Sequence, residues 1–341
     1  MENNQAIPGY EVVRKLGSGA MAAVFLARQV SLDRLVAIKI LPSRFSANTD
    51  YIKRFQQEGK AAAKLNHPNI VAAVDVGAVG RRHYFVMEYV DGTDVHELLK
   101  KESKLSERRA LEIIQEIALA LQHAHGKGFL HRDIKPRNIM ITKAGVAKLA
   151  DLGLARHVDD TETAEAEKNK AFGTPFYISP EQIRGKMDIA APADIYGLGA
   201  TFYHMVTGKV PFTGANPKEV MKAHLKEELV PPDHLNSELS SGCAQIIEHM
   251  LARRVEDRYH SADDLLIDLE LVMQGLPPKF ARSGLDASVL AETAAAAAAA
   301  TAIPTQVAKP AVASAPPTWM IAALVGSLFV NLLLFILYLL K

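Results

Sequence analysis

The chain is poor in cysteine and in net charge, and each shortage excludes a class of protein. A single Cys243 among 341 residues rules out an internal disulfide, which excludes a disulfide-stapled secreted domain and suits a reducing compartment. Lys plus Arg number 39 against 38 for Asp plus Glu. No broad basic surface is therefore expected for nucleic acid, and any phosphate chemistry has to be local. No apolar run follows Met1-Glu2-Asn3-Asn4, so a secretory leader is not expected there. Long Pro or Gly tracts are also missing from residues 10–273, which reads as the folded part of the chain.

Within that part, short runs rich in Val, Ile and aromatics predict strands at 10–16, 24–28, 35–41, 71–76 and 84–87. One helix interrupts them over 50–65, with Phe55, Ala62 and Leu65 near one face. Helices are predicted afterwards at 106–126, 193–207, 218–227, 239–251 and 262–273. Strands first and helices second predict an α+β protein. Residues 274–317 are rich in Ala and Pro and read as a linker, with ends on the order of 35 Å apart if it is a flexible coil. Residues 320–340 are uncharged and almost wholly apolar, enough for a helix across about 30 Å of hydrocarbon. Trp319 and Tyr338 bracket the run. Lys279, Arg282 and Lys309 precede it and only Lys341 follows, so the positive-inside bias puts the folded part in the cytoplasm.

Three segments carry chemistry. Leu16-Gly17-Ser18-Gly19-Ala20-Met21-Ala22-Ala23-Val24 places small residues between strands, where backbone amides can approach phosphate oxygens. A dinucleotide fingerprint would need a helix next, and a strand is predicted instead. In Val36-Ala37-Ile38-Lys39 a lysine stands between apolar neighbours, and Glu58 in the next helix is a carboxylate able to hold it by a charge-assisted bond. The third is His131-Arg132-Asp133-Ile134-Lys135-Pro136-Arg137-Asn138, followed by a strand pair and Asp151-Leu152-Gly153. Phosphoryl transfer needs a carboxylate to orient a hydroxyl and accept its proton, plus oxygen ligands for a hard cation, and this segment has both.

Taken together these segments make the chain resemble the eukaryotic-like (Hanks-type) bacterial serine/threonine protein kinases, in order and spacing from Tyr10 to about Met273. The resemblance implies a bilobal fold: an N-lobe over 10–90 with an antiparallel sheet and one helix, and a mainly helical C-lobe over 91–273, then the linker and a transmembrane helix over 318–340. It implies an ATP site that includes Leu16, in which Gly17 to Ala22, with Ser18, Gly19 and Ala20 between, cover the phosphates, Val24 and Ala37 sandwich adenine, and Lys39 contacts the inner phosphates while paired with Glu58. Met87 corresponds to the gatekeeper, with Glu88 and Val90 bonding the adenine edge through their backbones. Asp133 matches the catalytic base, Lys135 the residue steadying the transferred phosphate, and Asn138 and Asp151 the ligands of Mg2+ or Mn2+.

The same resemblance implies that Glu181 pairs with Arg258 and that Asp194 braces the catalytic loop. Lys135 and Gly173-Thr174-Pro175 look like serine/threonine kinases rather than tyrosine kinases, and separate the chain from small-molecule phosphotransferases of related fold. Three positions depart from the family: Ala22 for the third loop glycine, Leu152 for Phe, and Ser179 for Ala, whose hydroxyl needs a partner if buried. None deletes a catalytic group, which weighs against a pseudokinase scaffold. Arg132 beside Asp133 implies control by a phosphate on Thr161, Thr163 or Thr174. Expected partners are Ser/Thr-bearing proteins, a second copy of the chain for phosphorylation in trans, and a membrane, with no nucleic acid.

Overall fold

Residues 7–18, 22–42, 49–151, 156–157 and 175–281 are described by the structure, a computed structural model. They open with a five-stranded sheet: β1 (Tyr10–Ser18), β2 (Ala23–Gln29), β3 (Arg34–Ile40), β4 (Ala73–Val79) and β5 (Arg82–Glu88), ordered β1-β2-β3-β5-β4 and antiparallel throughout. Side-chain alternation divides it into two faces. Ala27, Val36, Ile38, Tyr84 and Val86 pack with Ile7 in a small outer core, while Phe85 joins the main core on the other face. Helix α1 (Thr49–Lys64) lies against β4, and its Phe55 and Ala62, with Leu65 just beyond its end, are buried as their helical spacing predicts. At Gly59 a Cβ would come 2.6 Å from a Val76 methyl, so only glycine lets α1 approach this closely.

Strand β4 begins later than predicted because the preceding residues have a different partner. Ile70 bridges Leu149 in parallel, and the Val71 amide donates to the Leu149 carbonyl at 2.9 Å. That seam ties the N-lobe to a three-stranded sheet of β6 (Gly92–Asp94), β8 (Ile139–Thr142) and β9 (Ala147–Leu149), ordered β6-β8-β9. A further pair joins β7 (Phe129–Leu130) to β10 (Arg156–His157).

The remainder is helical: α2 (Val95–Glu102), α3 (Glu107–Gly126), α4 (Pro180–Ile183), α5 (Ala191–Thr207), α6 (Pro217–Lys226), α7 (Pro232–Leu235), α8 (Ser241–Met250) and α9 (Ala262–Met273). Helix α2 was not predicted; it is short, and its start is fixed by Asp94, whose carboxylate accepts from the Glu97 amide. Helix α3 starts where Ser106 caps it. Helix α5 is apolar all round and buried almost throughout, as a central helix must be. Ile117 of α3, Phe202 of α5, Ile247 of α8 and Leu269 of α9 meet in the main core at 0% exposure.

The fold runs past the predicted end at 273. Gly275, at φ +75°, closes α9 in a left-handed turn, with the Leu276 amide bonded to the Leu271 carbonyl. Residues 279–281 then wrap the fully buried Asp268 carboxylate. Lys279, Phe280 and Ala281 each donate an amide to it, at 2.6 to 3.1 Å, and the Tyr259 hydroxyl donates at 2.8 Å. Among the described residues no helix is long and apolar enough to cross a membrane. The expected transmembrane helix over 318–340 and all but the first residues of the linker lie outside the described residues.

Candidate active site

Between the five-stranded sheet and the helical part lies a cavity of about 180 Å³, lined by Val24, Lys39, Ala62, Val71, Phe85, Met87, Arg137, Asn138, Leu149, Ala150 and Asp151. Five residues singled out from sequence thus share one cleft: Val24, Lys39, Met87, Asn138 and Asp151. Ala37 is buried on β3 two positions before Lys39, on the same face of the sheet. Leu16 is exposed on β1, and Gly17 and Ser18 pair with Val24 and Ala23 of β2. Val90 is buried beyond β5. The Glu88 amide donates to the Ala72 carbonyl at 2.9 Å, so a nucleotide contact from Glu88 has to use its carbonyl. Gly19, Ala20, Leu152, Thr161, Thr163 and Thr174 lie outside the described residues, as does the side chain of Glu58.

The Lys39 ammonium sits 2.7 Å from Asp151 Oδ1, with the two side chains 14% and 48% exposed. Removal from water works to raise the Asp151 pKa, but the Lys39 ammonium, with the charge of Lys135 behind it, prevails and holds it near 2. Across the cleft, Asp133 Oδ2 receives Lys135 Nζ at 2.5 Å and Asn138 Nδ2 at 3.2 Å. Asn138 Nδ2 also donates to the Asp133 carbonyl at 2.8 Å. With that nitrogen committed, the Asn138 amide oxygen and the Asp151 carboxylate are left as hard oxygen donors, the type that Mg2+ or Mn2+ takes.

The loop that carries Asp133 is held from beneath. Arg132 and Asp151 adopt φ +67° and +62°, a left-handed region costly to a residue with a Cβ. Asp194, buried in the first turn of α5, accepts from the Arg132 amide at 2.7 Å, the His131 amide at 2.9 Å and His125 Nε2 at 2.8 Å. Burial alone would raise its pKa; those donors lower it instead. His131 Nε2 faces the Ala150 carbonyl at 3.1 Å and must donate there, leaving Nδ1 to accept the Asp133 amide at 3.3 Å. One ring therefore connects the residue before Asp151 to Asp133.

Ser179, fully buried, finds the partner its hydroxyl requires. It caps α4, donates to Gln182 Oε1 at 2.9 Å and accepts the Gln182 amide at 3.4 Å. Gln182 Nε2 is thereby aimed at the Arg132 carbonyl, 2.9 Å away. Sequence reading missed Gln182, although Ser-Pro-Glu-Gln is a capping-box pattern. Glu181 receives both terminal nitrogens of Arg258 at 2.8 and 2.9 Å, with side chains 5% and 0% exposed, and the guanidinium also lies 4.8 Å from the Tyr196 ring centre.

Residues 10–267 match the family model for the protein kinase domain. The chain is 38% identical over 274 residues to serine/threonine-protein kinase PknB of Mycobacterium tuberculosis, an alignment taking in 79% of this chain and 44% of that protein. It is 37% identical over 263 residues to a probable serine/threonine-protein kinase of Clostridium perfringens, covering 77% and 38%. With one of Corynebacterium efficiens it shares 37% over 285 residues, covering 81% and 43%. The chain spans less than half the length of these curated relatives. With a matching family model over most of its length and a two-part fold that gathers the family's motif residues around one cleft, the chain belongs to the protein kinase domain family.

Proposed function

We propose that the chain transfers the γ-phosphoryl group of ATP to Ser and Thr hydroxyls of proteins. The observation that carries this reading is the convergence of Lys39, Asp133, Lys135, Asn138 and Asp151 on one cleft, by the bonds described above. Asp133 Oδ2 is occupied by Lys135 and Asn138, which directs Oδ1 to an incoming hydroxyl as proton acceptor. Lys135, bonded to the same carboxylate, supplies a charge that offsets the negative charge that builds on the transferred group. A triphosphate arriving beside Lys39 exchanges one anion for another on the ammonium, with Glu58 keeping it oriented. The Asp151 carboxylate, already ionised, and the Asn138 amide oxygen would be the groups that hold a metal ion. Mg2+ or Mn2+ bound there supplies charge neutralisation on the phosphate oxygens.

The wider reading puts the kinase at the cytoplasmic face of a membrane, held by 318–340, where confinement favours copies phosphorylating one another on Thr161, Thr163 or Thr174. Support for it comes from the apolar run and the charge asymmetry around it. Transfer of labelled phosphate from ATP to a mixed protein acceptor tests the activity. Asp133→Asn is expected to lower the rate about 10²- to 10⁴-fold while nucleotide still binds. Nucleotide binding with no transfer by the wild type would instead identify a pseudokinase scaffold.

A further inference from the structure

Among the described residues, Arg137 is the one charged residue lining the cleft that the mechanism above leaves without a task. It stands exposed on the one-turn helix Pro136–Asn138 that follows the catalytic aspartate. Its Nη2 meets His96 Nε2, on α2, at 2.7 Å. A guanidinium only donates, so His96 accepts and its ring is neutral. Burial, and then the charges of Arg137 and Lys100, lower the His96 pKa in agreement.

The guanidinium therefore keeps its full positive charge, with no carboxylate bonded to it among the described residues. The acids of the same segment are committed elsewhere: Asp94 accepts the Glu97 amide at 2.8 Å, and Glu97 holds Lys100 at 2.9 Å. Beside this pair is another of the same character. The Tyr177 hydroxyl bonds His204 Nδ1 at 2.8 Å, their rings 6.2 Å apart and stacked. The two pairs lie within reach of each other's charge. Burial lowers the His204 pKa, and burial raises that of Tyr177 against the opposing charge of Arg137.

An arginine of the cleft lining is thus bonded to a histidine of α2, and a second histidine bonded to a tyrosine stands near enough to feel its charge; none of the four is an acid. The guanidinium is exposed and bonded to α2 through one nitrogen, which leaves its remaining donors for a group arriving from solvent. We propose that Arg137, oriented by His96 with Tyr177 and His204 alongside, is a specificity-determining residue that selects an anionic side chain close to the acceptor hydroxyl of a protein substrate. A planar fork of donors matches carboxylate and phosphate oxygens alike. The proposal rests on the kinase reading above and narrows its substrate class.

The test uses the full-length wild type, Arg137→Ala, Arg137→Glu and His96→Ala. Each is given peptides in which a Ser or Thr acceptor is flanked, one position at a time, by Asp, Glu, phosphoserine, Ala or Lys. Total transfer to the pooled peptides is measured first. A wild type that phosphorylates none of them overturns the kinase reading and this one with it, whereas transfer without charge preference overturns this one alone. The expected result is a kcat/KM about tenfold higher for an acidic flank than for Lys at one or more positions. Arg137→Ala should flatten that preference, Arg137→Glu invert it and His96→Ala weaken it. Preference for phosphoserine alone assigns the subsite to previously phosphorylated substrates; preference for Asp and Glu as well assigns it to acidic sequences. A rise in the KM for ATP in Arg137→Ala, with peptide preference intact, would give the residue to the nucleotide and sink the proposal.

Discussion

Two ion pairs, one in the helical part and one in the cleft, use similar distances to opposite ends. Arg258 and Glu181 meet through two bonds at 2.8 and 2.9 Å with almost no solvent contact. Arg258 spends its remaining donors on the carbonyls of Pro192, Ala252 and Arg253. Lys39 and Asp151 meet through one bond at 2.7 Å, and half of the Asp151 side chain is open to water. A buried, fully bonded pair is hard to part because either partner alone is left as an uncompensated charge. A wet, single-bonded pair parts easily and is held in readiness. The contrast separates a fixed framework from a site built to exchange its partners.

Arg258→Ala should break the comparison most strongly. Glu181 would be left buried and charged, at a cost of about 3 to 5 kcal/mol in unfolding free energy measured with urea. A loss below about 1 kcal/mol would make the two pairs equivalent. Next comes acid sensitivity of the helical part. Burial holds the fully enclosed His224, bonded to the Tyr196 hydroxyl at 2.7 Å, at a pKa of about 4. Its contribution is complete above its unfolded pKa of about 6.5 and is lost as pH falls from there through about 4, on the order of 3 kcal/mol in all. Urea melts across that range should show the fall, and His224→Asn should reduce it.

Ending the chain at 275 instead of 281 removes the three amides around Asp268. It should cost about 1 to 3 kcal/mol, read as a lower urea midpoint. The smallest effect is expected in the cleft. Lys39→Met should change unfolding free energy by about 1 kcal/mol while abolishing productive ATP use, because the half-exposed Asp151 recovers part of its hydration once its cation is gone. A large stability loss there would show the cleft pair to be structural after all.

Much of this division can be read from sequence where one segment decides its own fate. The extent of α9 follows from the periodicity of 262–273, and that of α3 from Ser106 and an apolar stripe. Strand β4 could not be placed correctly, since residues 70–71 are captured by Leu149, far along the chain. The motif residues of the cleft were legible because their chemistry requires fixed spacing. Gln182, and the grouping of Arg137 with His96, Tyr177 and His204, were not, because each arises from segments that only tertiary packing brings together. The wrap of 279–281 had no signal, since backbone amides do the bonding and any non-proline side chain would serve.

That wrap also decides how the molecule bears a mechanical load. A pull on the chain beyond Ala281 reaches Asp268 first, where the amides of three successive residues share the strain on one buried carboxylate. A load entering there is taken up by the helical part that carries Asp268, and not by the sheet whose Lys39 lines the cleft.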